Sequence, residues 1–359
     1  MRDFSVSHPA PRWYEEIGPD HDIIISSKTK ISRNLSSFAY PHILSGQERE
    51  DVRTKIETAL RESGLCPGLI RYELEDLSEE ENAFLAEEGR VHRRKEFRRA
   101  ALIISGDRRI CAEINAKDHL CIASIRGGNS LREAWHDVNA VDCELETRLD
   151  YAVSLDWGYL SSEIDNMGTA LEASLILHLP GMALSGRMDK VEKTLGEAGF
   201  SIENFLQVKG VGAEFFLVSG KPRLGESEED LFKKFGDITV SLLNYEREMR
   251  NLLFEKRGEF LEDQMCRAFG ILERAKFLNW EEAIKLLSLL RMGYCMRRQT
   301  RVRWDKLTAM IFRAMPAHIR LRLGEGPAGS PEERENRERA VFIHEELKKT
   351  SWAEEGDCV

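Results

Sequence analysis

The chain has 359 residues, of which 42% are hydrophobic and 32% charged, and its formal net charge is −10. This composition indicates a globular protein with enough apolar residues for a core, and the length indicates two domains. No apolar run approaches the ~20 residues that a bilayer span needs, and the first residues lack the apolar core of a secretory signal. We therefore expect a cytoplasmic protein without a membrane segment, and the negative charge argues against a general nucleic-acid binder.

The cysteine pattern bears on metal and disulfide chemistry. The seven cysteines are an odd number and stand singly, with no Cys-x-x-Cys pair and no matching histidine cluster. A zinc site or a disulfide framework would need such spacing. We therefore expect no metal site.

Strand and helix signals alternate in the N-terminal part of the chain. A β-branched run at residues 22–26 continues into the basic stretch 28–33 and reads as a strand. Residues 45–63 have the apolar spacing of a charged amphipathic helix. Further strand-like runs follow at residues 101–105, 110–114, 120–124, 175–179 and 215–219. This order predicts a mixed domain of strands and helices over residues 1–255.

Helical signals dominate the C-terminal part. Ser227 and the acidic residues after it resemble a helix cap, and apolar residues with helical spacing follow. Asn279 caps another helix, and a Gly- and Pro-rich loop precedes one charged final helix. We predict a helical domain over residues 256–348 and a tail over residues 349–359.

Several blocks of sequence together resemble the ATP:guanidino phosphotransferase family. Residues 18–35 resemble its opening strand, S-x-R-x-R-x-x-R-N, and residues 114–120 resemble I-N-E-E-D-H-L. Later blocks follow in family order, and some of them are similar to the bacterial protein-arginine kinase branch, called McsB, at residues 224–230, 261–264, 269–272 and 316–318. The helical domain favours this branch, because the metabolite kinases of the family carry no such domain after the catalytic one. The resemblance covers about residues 13–348.

The resemblance implies a fold, a cofactor and partners. The fold is an α+β catalytic domain with a central, mostly antiparallel sheet flanked by helices, followed by a helical C-terminal domain that forms a homodimer. The cofactor is ATP with magnesium, and the phosphoryl acceptor is an arginine side chain of a protein. The implied partners are a Clp-type unfoldase, a McsA-like zinc-protein activator and a heat-shock repressor, so the implied setting is stress response and proteolysis.

The phosphate-binding positions of the family have changed in this chain. The family holds the nucleotide phosphates with arginines, whose planar forks bind oxygens bidentately. The residues that match these positions are Lys28, Lys30, Cys121, Glu172 and Lys209. Glu172 would place an anion where a phosphate belongs, and like charges ~4 Å apart cost on the order of 4 kcal/mol. The open alternative is that Glu172 is a solvated helix residue.

The residues for proton transfer have changed as well. The resemblance places the two glutamates of N-E-E-D-H at Ala116 and Lys117, and the reactive cysteine of the family at Glu163. Neither Ala116 nor Lys117 accepts a proton at neutral pH. If the chain is an active enzyme, Glu163, Asp118 or Asp165 is the candidate acid–base group.

Other candidate binding residues stand in further motifs. Arg33 and His119 lie in blocks that the resemblance assigns to the nucleotide site, although a single histidine beside a strand is more often a packed residue. The phosphoarginine-receptor motif of the family, R-D-x-x-R-A, is half retained here, with Glu335, Asn336 and Arg339. The water-excluding lid that follows the last phosphate-binding position is shortened.

Three functional hypotheses follow. The first is a catalytically impaired pseudokinase that keeps the scaffold and binds protein partners, since the base, the cysteine, the arginines and the lid are all altered. The second is an active ATP-dependent protein-arginine phosphotransferase with a rebuilt site. The third is a nucleic-acid-associated regulator with basic runs at residues 92–99 and 297–304, although such runs are more often solvated faces. We favour the first.

Overall fold

The computed structural model describes residues 10–91, 99–206, 214–296, 302–323 and 330–351. The strands in these ranges are β1 (Ile24–Arg33), β2 (Ile70–Glu73), β3 (Ala101–Ile104), β4 (Ile110–Ile114), β5 (Leu120–Gly127), β6 (Val153–Ser154), β7 (Gly158–Tyr159), β8 (Leu171–His178), β9 (Phe200–Asn204) and β10 (Phe215–Gly220). The helices are α1 (Gly46–Ser63), α2 (Glu79–Glu87), α3 (Leu131–Glu146), α4 (Pro180–Leu184), α5 (Met188–Glu197), α6 (Glu228–Arg274), α7 (Trp280–Cys295), α8 (Trp304–Arg313), α9 (Pro316–Arg322) and α10 (Pro331–Ser351). No helix in the described ranges is long and apolar enough to cross a membrane.

A large sheet is the main architectural feature. Its strand order is β2-β3-β4-β5-β1-β8-β10-β9, and β6 and β7 form a separate two-stranded sheet. The pairs β2–β3, β3–β4, β4–β5 and β1–β5 are antiparallel. Together with the helices that follow β10, this confirms the predicted α+β fold with a mostly antiparallel sheet and a helical C-terminal region.

Helix starts follow the capping signals of the sequence. Ser45 accepts a hydrogen bond from the backbone N–H of Glu48, whose side chain accepts one from the N–H of Ser45, and α1 begins directly after this reciprocal cap. Asn279 Oδ1 accepts a hydrogen bond of 2.7 Å from the N–H of Glu282 at the start of α7. Helix α1 ends at Ser63 and is followed by Gly64, whose φ of 67° lies in the left-handed region that glycine tolerates best.

The long helix α6 contains a break. It has 47 residues, and Arg257 within it has φ −142° and ψ 28°, which are not helical values. The predicted boundary between residues 255 and 256 falls beside this break. The boundary itself stays a prediction, because nothing in the structure tests it.

The chain divides by its contacts into two compact units. The first comprises residues 1–19, 26–175 and 218–238, and the second comprises residues 20–25, 176–217 and 239–359. The core of the first unit is built from fully buried aliphatic side chains such as Ile31, Ile56 and Ile122. The core of the second unit includes Leu287 and Phe312. Each unit is therefore made of separated stretches of the chain.

Candidate functional site

A cavity of about 190 Å³ lies within the first unit. Its walls come from β1, β4, the β4–β5 turn, β5, the loop before β8, β8 itself and the residue after β10. The lining residues are Lys30, Ser32, Glu113, Ala116, Lys117, Asp118, Cys121, Glu163, Asn166, Glu172 and Lys221. The cavity therefore brings together seven of the residues singled out from the sequence, namely Lys30, Ala116, Lys117, Asp118, Cys121, Glu163 and Glu172.

Strand β1 supplies the basic residues that the sequence assigned to phosphate. Successive side chains of a strand alternate between faces, so Lys28, Lys30 and Ser32 share one face. Lys30 and Ser32 line the cavity, whereas the ammonium group of Lys28 donates a 2.6 Å hydrogen bond to the carbonyl oxygen of Gly89. Burial, together with the nearby charge of Lys30, lowers the pKa of Lys28 from its usual value. Lys28 is thus turned to the protein backbone rather than to the cavity.

Glu172 lies between two lysines. Its Oε2 is 3.1 Å from Lys30 Nζ and 3.5 Å from Lys221 Nζ. Although burial alone raises the pKa of Glu172, the two ammonium groups outweigh it and hold this pKa below its usual value. The alternative that Glu172 is a solvated helix residue is wrong, because it lies in strand β8 with a side chain only 24% exposed.

A second ion pair crosses the cavity from the β4–β5 turn. The ammonium group of Lys117 donates to Oε1 of Glu163. The amide of Asn166 donates a 3.2 Å hydrogen bond to the other oxygen of Glu163, and its own oxygen accepts a 2.5 Å hydrogen bond from Lys221. Polar contacts therefore run without interruption through six residues, which we call the ion-pair chain: Lys117, Glu163, Asn166, Lys221, Glu172 and Lys30.

Asp118 fastens the backbone around the cavity. Its Oδ1 accepts hydrogen bonds of 2.7 Å from the amide of Asn34 and 2.7 Å from the N–H of Ser162. Its Oδ2 accepts a 2.9 Å hydrogen bond from the hydroxyl of Ser161. These three hydrogen bonds tie the loop before β8 and the residue after β1 to the β4–β5 turn. Asp165 lies on that loop but is exposed and does not line the cavity.

Cys121 contributes no charge to the cavity. It lies opposite Ser32 in the β1–β5 register. Burial raises the pKa of its thiol to about 12, so the side chain is neutral at physiological pH. A neutral thiol offers no counter-charge to a phosphate.

Arg33 and His119 are engaged within the fold. The guanidinium of Arg33 donates to Asp142 at 2.5 and 3.1 Å and lies 3.5 Å from the ring centroid of Tyr159. His119 is fully buried; its Nδ1 accepts from the N–H of Leu35 at 3.0 Å and its Nε2 donates to a backbone carbonyl at 2.8 Å. Burial lowers the pKa of His119. Neither side chain lines the cavity, so their predicted nucleotide contacts stay predictions.

The receptor-like residues of the C-terminal region form a hydrogen-bond network within the second unit. The fully buried guanidinium of Arg339 donates to the carbonyl oxygens of Ala314 and Leu278, at 2.9 and 3.0 Å. It also donates to Asn336 Oδ1 at 2.9 Å and to a carboxylate oxygen of Glu335. The second oxygen of Glu335 accepts a 2.9 Å hydrogen bond from another arginine of the unit. All three nitrogens of the Arg339 guanidinium therefore have acceptors within the unit.

The positive charges on the described walls of the cavity are already paired. The walls carry three ammonium groups against four carboxylates. Each of the three lysines has a carboxylate partner within the ion-pair chain, so an added polyanion would have to displace these contacts. Among the described residues no group of three or more His, Cys, Asp or Glu side chains is placed to hold a metal ion. Lys209 and the shortened lid at residues 211–213 lie outside the described residues.

Sequence reasoning missed part of the ion-pair chain. Lys221 lies two residues beyond the predicted strand at residues 215–219, and Asn166 lies three residues after Glu163, yet neither carried a signal for this site. Their roles arise from the sheet order, which places β8 next to β10. The only usable signal for the contact between Glu172 and Lys221 was an acidic residue on one strand and a basic residue near the end of another.

Comparison with known proteins bears on the whole chain. Residues 51–249 match the family model of the ATP:guanido phosphotransferase C-terminal catalytic domain, and residues 258–357 match that of the protein-arginine kinase McsB C-terminal domain. A protein-arginine kinase from Pelotomaculum thermopropionicum is 34% identical over 322 residues, which are 88% of this chain and 90% of that protein. One from Halothermothrix orenii is 30% identical over 341 residues, 93% of this chain and 96% of that protein.

Solved structures show the same fold at lower identity. A duplicated taurocyamine kinase from Schistosoma mansoni, with bound transition-state-analogue components, has a TM-score of 0.59 and 20% identity over 72% of this chain. The match spans 40% of that longer protein. A lombricine kinase has a TM-score of 0.54 and 19% identity, over 67% of this chain and 72% of its own. These likenesses confirm the fold of the catalytic region.

Proposed function

The chain belongs to the protein-arginine kinase branch of the ATP:guanidino phosphotransferase family, and from that premise we propose that it is a catalytically impaired member that acts by binding protein partners. The observation that carries this proposal is the ion-pair chain. Lys30 and Lys221 converge on Glu172, and Lys117 converges on Glu163, so the cations of the cavity are neutralised by carboxylates of the chain itself.

The acid–base requirement of phosphoryl transfer supports the same proposal. Attack on ATP by a guanidinium needs a carboxylate that orients the nitrogen and accepts its proton. Asp118 is occupied by three hydrogen-bond donors, and Glu163 is held by Lys117 and Asn166. Asp165 is exposed outside the cavity lining. Among the described residues, each candidate base is therefore either engaged or misplaced.

A binding role calls for partners, and we propose those of the family. They are a Clp-type unfoldase, a McsA-like activator and a heat-shock repressor, in stress response and proteolysis. We also propose that the helical C-terminal region forms a homodimer in the cytoplasm. The family match over residues 258–357 supports this part of the proposal.

The test is a direct assay for protein phosphoarginine. The purified chain is incubated with ATP, magnesium and an arginine-rich protein such as a histone, and the products are analysed by mass spectrometry under conditions that preserve the N–P bond. The enzyme from Pelotomaculum thermopropionicum serves as the positive control. We expect no phosphoarginine above the enzyme-free blank. Phosphoarginine at a rate comparable with the control enzyme would refute the proposal.

One observation favours an active phosphotransferase as the second candidate. The side chains of Lys117 and Glu163 are 46% and 40% exposed, so their ion pair is weak and can open toward the solvent. An opened Glu163 could accept a proton from a bound guanidinium. This candidate predicts phosphoarginine formation that Glu163→Gln abolishes, whereas Asp165→Asn, on the same loop, leaves it unchanged.

A further inference from the structure

Buried arginines surround one carboxylate in the first unit, apart from the cavity. Glu88 directly follows α2, and its side chain is fully buried. Arg12 donates to Oε1 of Glu88, and Arg108 donates to Oε2 at 2.9 Å. Nε of Arg90 lies 3.9 Å from the same Oε2, which is too long for a hydrogen bond. We call these four residues the Glu88 cluster: Arg12, Glu88, Arg90 and Arg108. None of them lines the cavity.

Four donor nitrogens of the Glu88 cluster have no acceptor. Among the residues that the structure describes, none accepts a hydrogen bond from Nε, Nη1 or Nη2 of Arg90, or from Nε of Arg108. The side chain of Arg90 has no exposed surface, and that of Arg108 is 4% exposed. Buried polar groups in proteins are nearly always hydrogen-bonded. Four unpaired nitrogens on two side chains that approach the same carboxylate therefore indicate an acceptor that the described chain does not supply.

The Glu88 cluster also carries an excess of positive charge. Three guanidiniums, which stay protonated at physiological pH, face the one carboxylate of Glu88. Glu87 is buried as well, but Arg90 forms no hydrogen bond to it. The ammonium group of Lys28 is a further cation beside the cluster, since it donates to the carbonyl oxygen of Gly89. A buried charge needs an opposite charge, and a neutral water molecule would accept hydrogen bonds without supplying one.

We propose that Arg90 and Arg108 hold a small inorganic oxyanion of the phosphate class. Such an ion presents several acceptor oxygens, which planar guanidinium forks bind bidentately. The ligand must be small, because the two side chains leave almost no open surface at their unpaired nitrogens. The site is separate from the ion-pair chain. The inference therefore goes beyond the proposed function, since it concerns neither protein partners nor phosphoryl transfer.

The bound ion joins segments that are far apart in the chain. Arg90 follows α2, and Arg108 lies in the turn between β3 and β4. The indole of Trp13 donates a 3.0 Å hydrogen bond to the carbonyl oxygen of Glu88, so the start of the described chain is fixed to the same point. Unfolding separates these segments. The ion is therefore expected to bind only the folded chain and to raise its stability.

The test measures the binding of inorganic phosphate to the full chain by equilibrium dialysis, and its effect on stability by urea unfolding at constant ionic strength. At unfolding equilibrium the ion can enter as the chain refolds, so a closed site does not block the measurement. The variant Arg90→Met removes the unpaired guanidinium and keeps a long side chain. Its matched control is Arg132→Met, at an exposed ion pair. Lys30→Met tests whether phosphate binds in the cavity instead.

We expect one phosphate per chain, displaced by sulfate but not by chloride at equal ionic strength. Arg90→Met should weaken phosphate binding at least ~tenfold, whereas Arg132→Met and Lys30→Met should bind phosphate like the unaltered chain. Without phosphate, Arg90→Met should unfold at the same urea concentration as the unaltered chain or at a higher one, because it removes a buried charge that has no partner. With phosphate, the unfolding midpoint of the unaltered chain should rise and that of Arg90→Met should not.

A second substitution at the same position keeps the test decisive if Arg90→Met does not fold. Arg90→Lys retains the charge but loses the planar fork, so it should bind phosphate more weakly than the unaltered chain. Three results would overturn the inference. They are no phosphate binding up to ~10 mM, equal binding by the unaltered chain and the Arg90 variants, and loss of binding in Lys30→Met alone. The last result would place the phosphate in the cavity.

Discussion

Replacing Glu172 by glutamine tests the neutralised cavity most directly. In the folded chain the carboxylate is 3.1 Å from Lys30 Nζ and 3.5 Å from Lys221 Nζ. At an effective dielectric constant of about 20, each distance corresponds to roughly 5 kcal/mol of attraction before desolvation is subtracted. Exposed pairs retain about 0–1 kcal/mol of this, and breaking a buried pair costs about 3–5 kcal/mol. For a side chain that is 24% exposed we expect Glu172→Gln to lower the free energy of unfolding by about 1–3 kcal/mol.

The same substitution should create an anion site. Lys30 and Lys221 lose the carboxylate that they share, so pyrophosphate can take its place. An anion at a hundred times its dissociation constant adds about 2.7 kcal/mol of stability. The assay is urea unfolding with and without pyrophosphate, for the unaltered chain, for Glu172→Gln and for Glu229→Gln. Glu229 pairs with Arg132 on the surface, and its replacement should change neither quantity measurably.

The pH dependence of this effect has a defined sign. The folded-state pKa of Glu172 is held below its unfolded value, so its stabilisation is fully present above the unfolded pKa, near 4.3 for a free glutamate. It is lost as the pH falls through the lower folded-state pKa. The gap between Glu172→Gln and the unaltered chain should therefore close in acid. A variant that unfolds like the unaltered chain at neutral pH and gains nothing from pyrophosphate would refute the reasoning.

Three further predictions concern buried groups elsewhere. Burial, and to a smaller extent nearby arginines, hold the pKa of His178 well below its usual value. The free energy of unfolding should therefore fall by up to about 1.4 kcal/mol per pH unit as the pH drops below about 6.5. Urea titrations should show a shallower fall for His178→Gln. Arg339→Ala leaves the carbonyl oxygens of Ala314 and Leu278 without their donor and removes one of the two arginine partners of Glu335, so it should cost about 3–5 kcal/mol. Arg337→Ala loses only an exposed contact with an aromatic ring and should cost about 0.5–1 kcal/mol; thermal unfolding by circular dichroism compares the two variants. The Cys121 thiol, with a pKa of about 12, should resist a disulfide reagent near pH ~8 that labels the exposed Cys143.

Much of the fold was predictable because its signals are local. Caps such as Ser45 and Asn279 mark helix starts through hydrogen bonds within three residues of chain, and the structure contains both. The strands with continuous apolar runs were found for the same reason. Strand β2 and the edge strand β9 were not, since with 4 and 5 residues they are too short for their alternation to stand out from the flanking loops. Strand β8 begins at Leu171, earlier than the predicted residue 175, because Glu172, which faces the polar cavity, interrupts the apolar run.

The site was predictable in its residues but not in their pairing. Sequence motifs placed Lys30, Lys117, Glu163 and Glu172 in one site, and the structure brings them together. From the sequence alone Glu172 was an uncompensated anion. The neutralising contact from Lys221 depends on the neighbouring positions of β8 and β10, which no local pattern encodes.

Within residues 114–120, the residues that match the family and the residues that depart from it have different places in the structure. Asp118 and His119, which match the family, hold neighbouring backbone through buried hydrogen bonds. Ala116 and Lys117, which depart from it, line the cavity. In this block, the residues that match the family are therefore the ones that hold the loops in place. Their presence indicates that the fold is kept, and it does not indicate catalytic activity. The departures also fit one another, since Lys117 pairs with Glu163 and so leaves neither charge unmatched. In the proposed binding role, these paired charges let the walls of the cavity stay folded without a ligand.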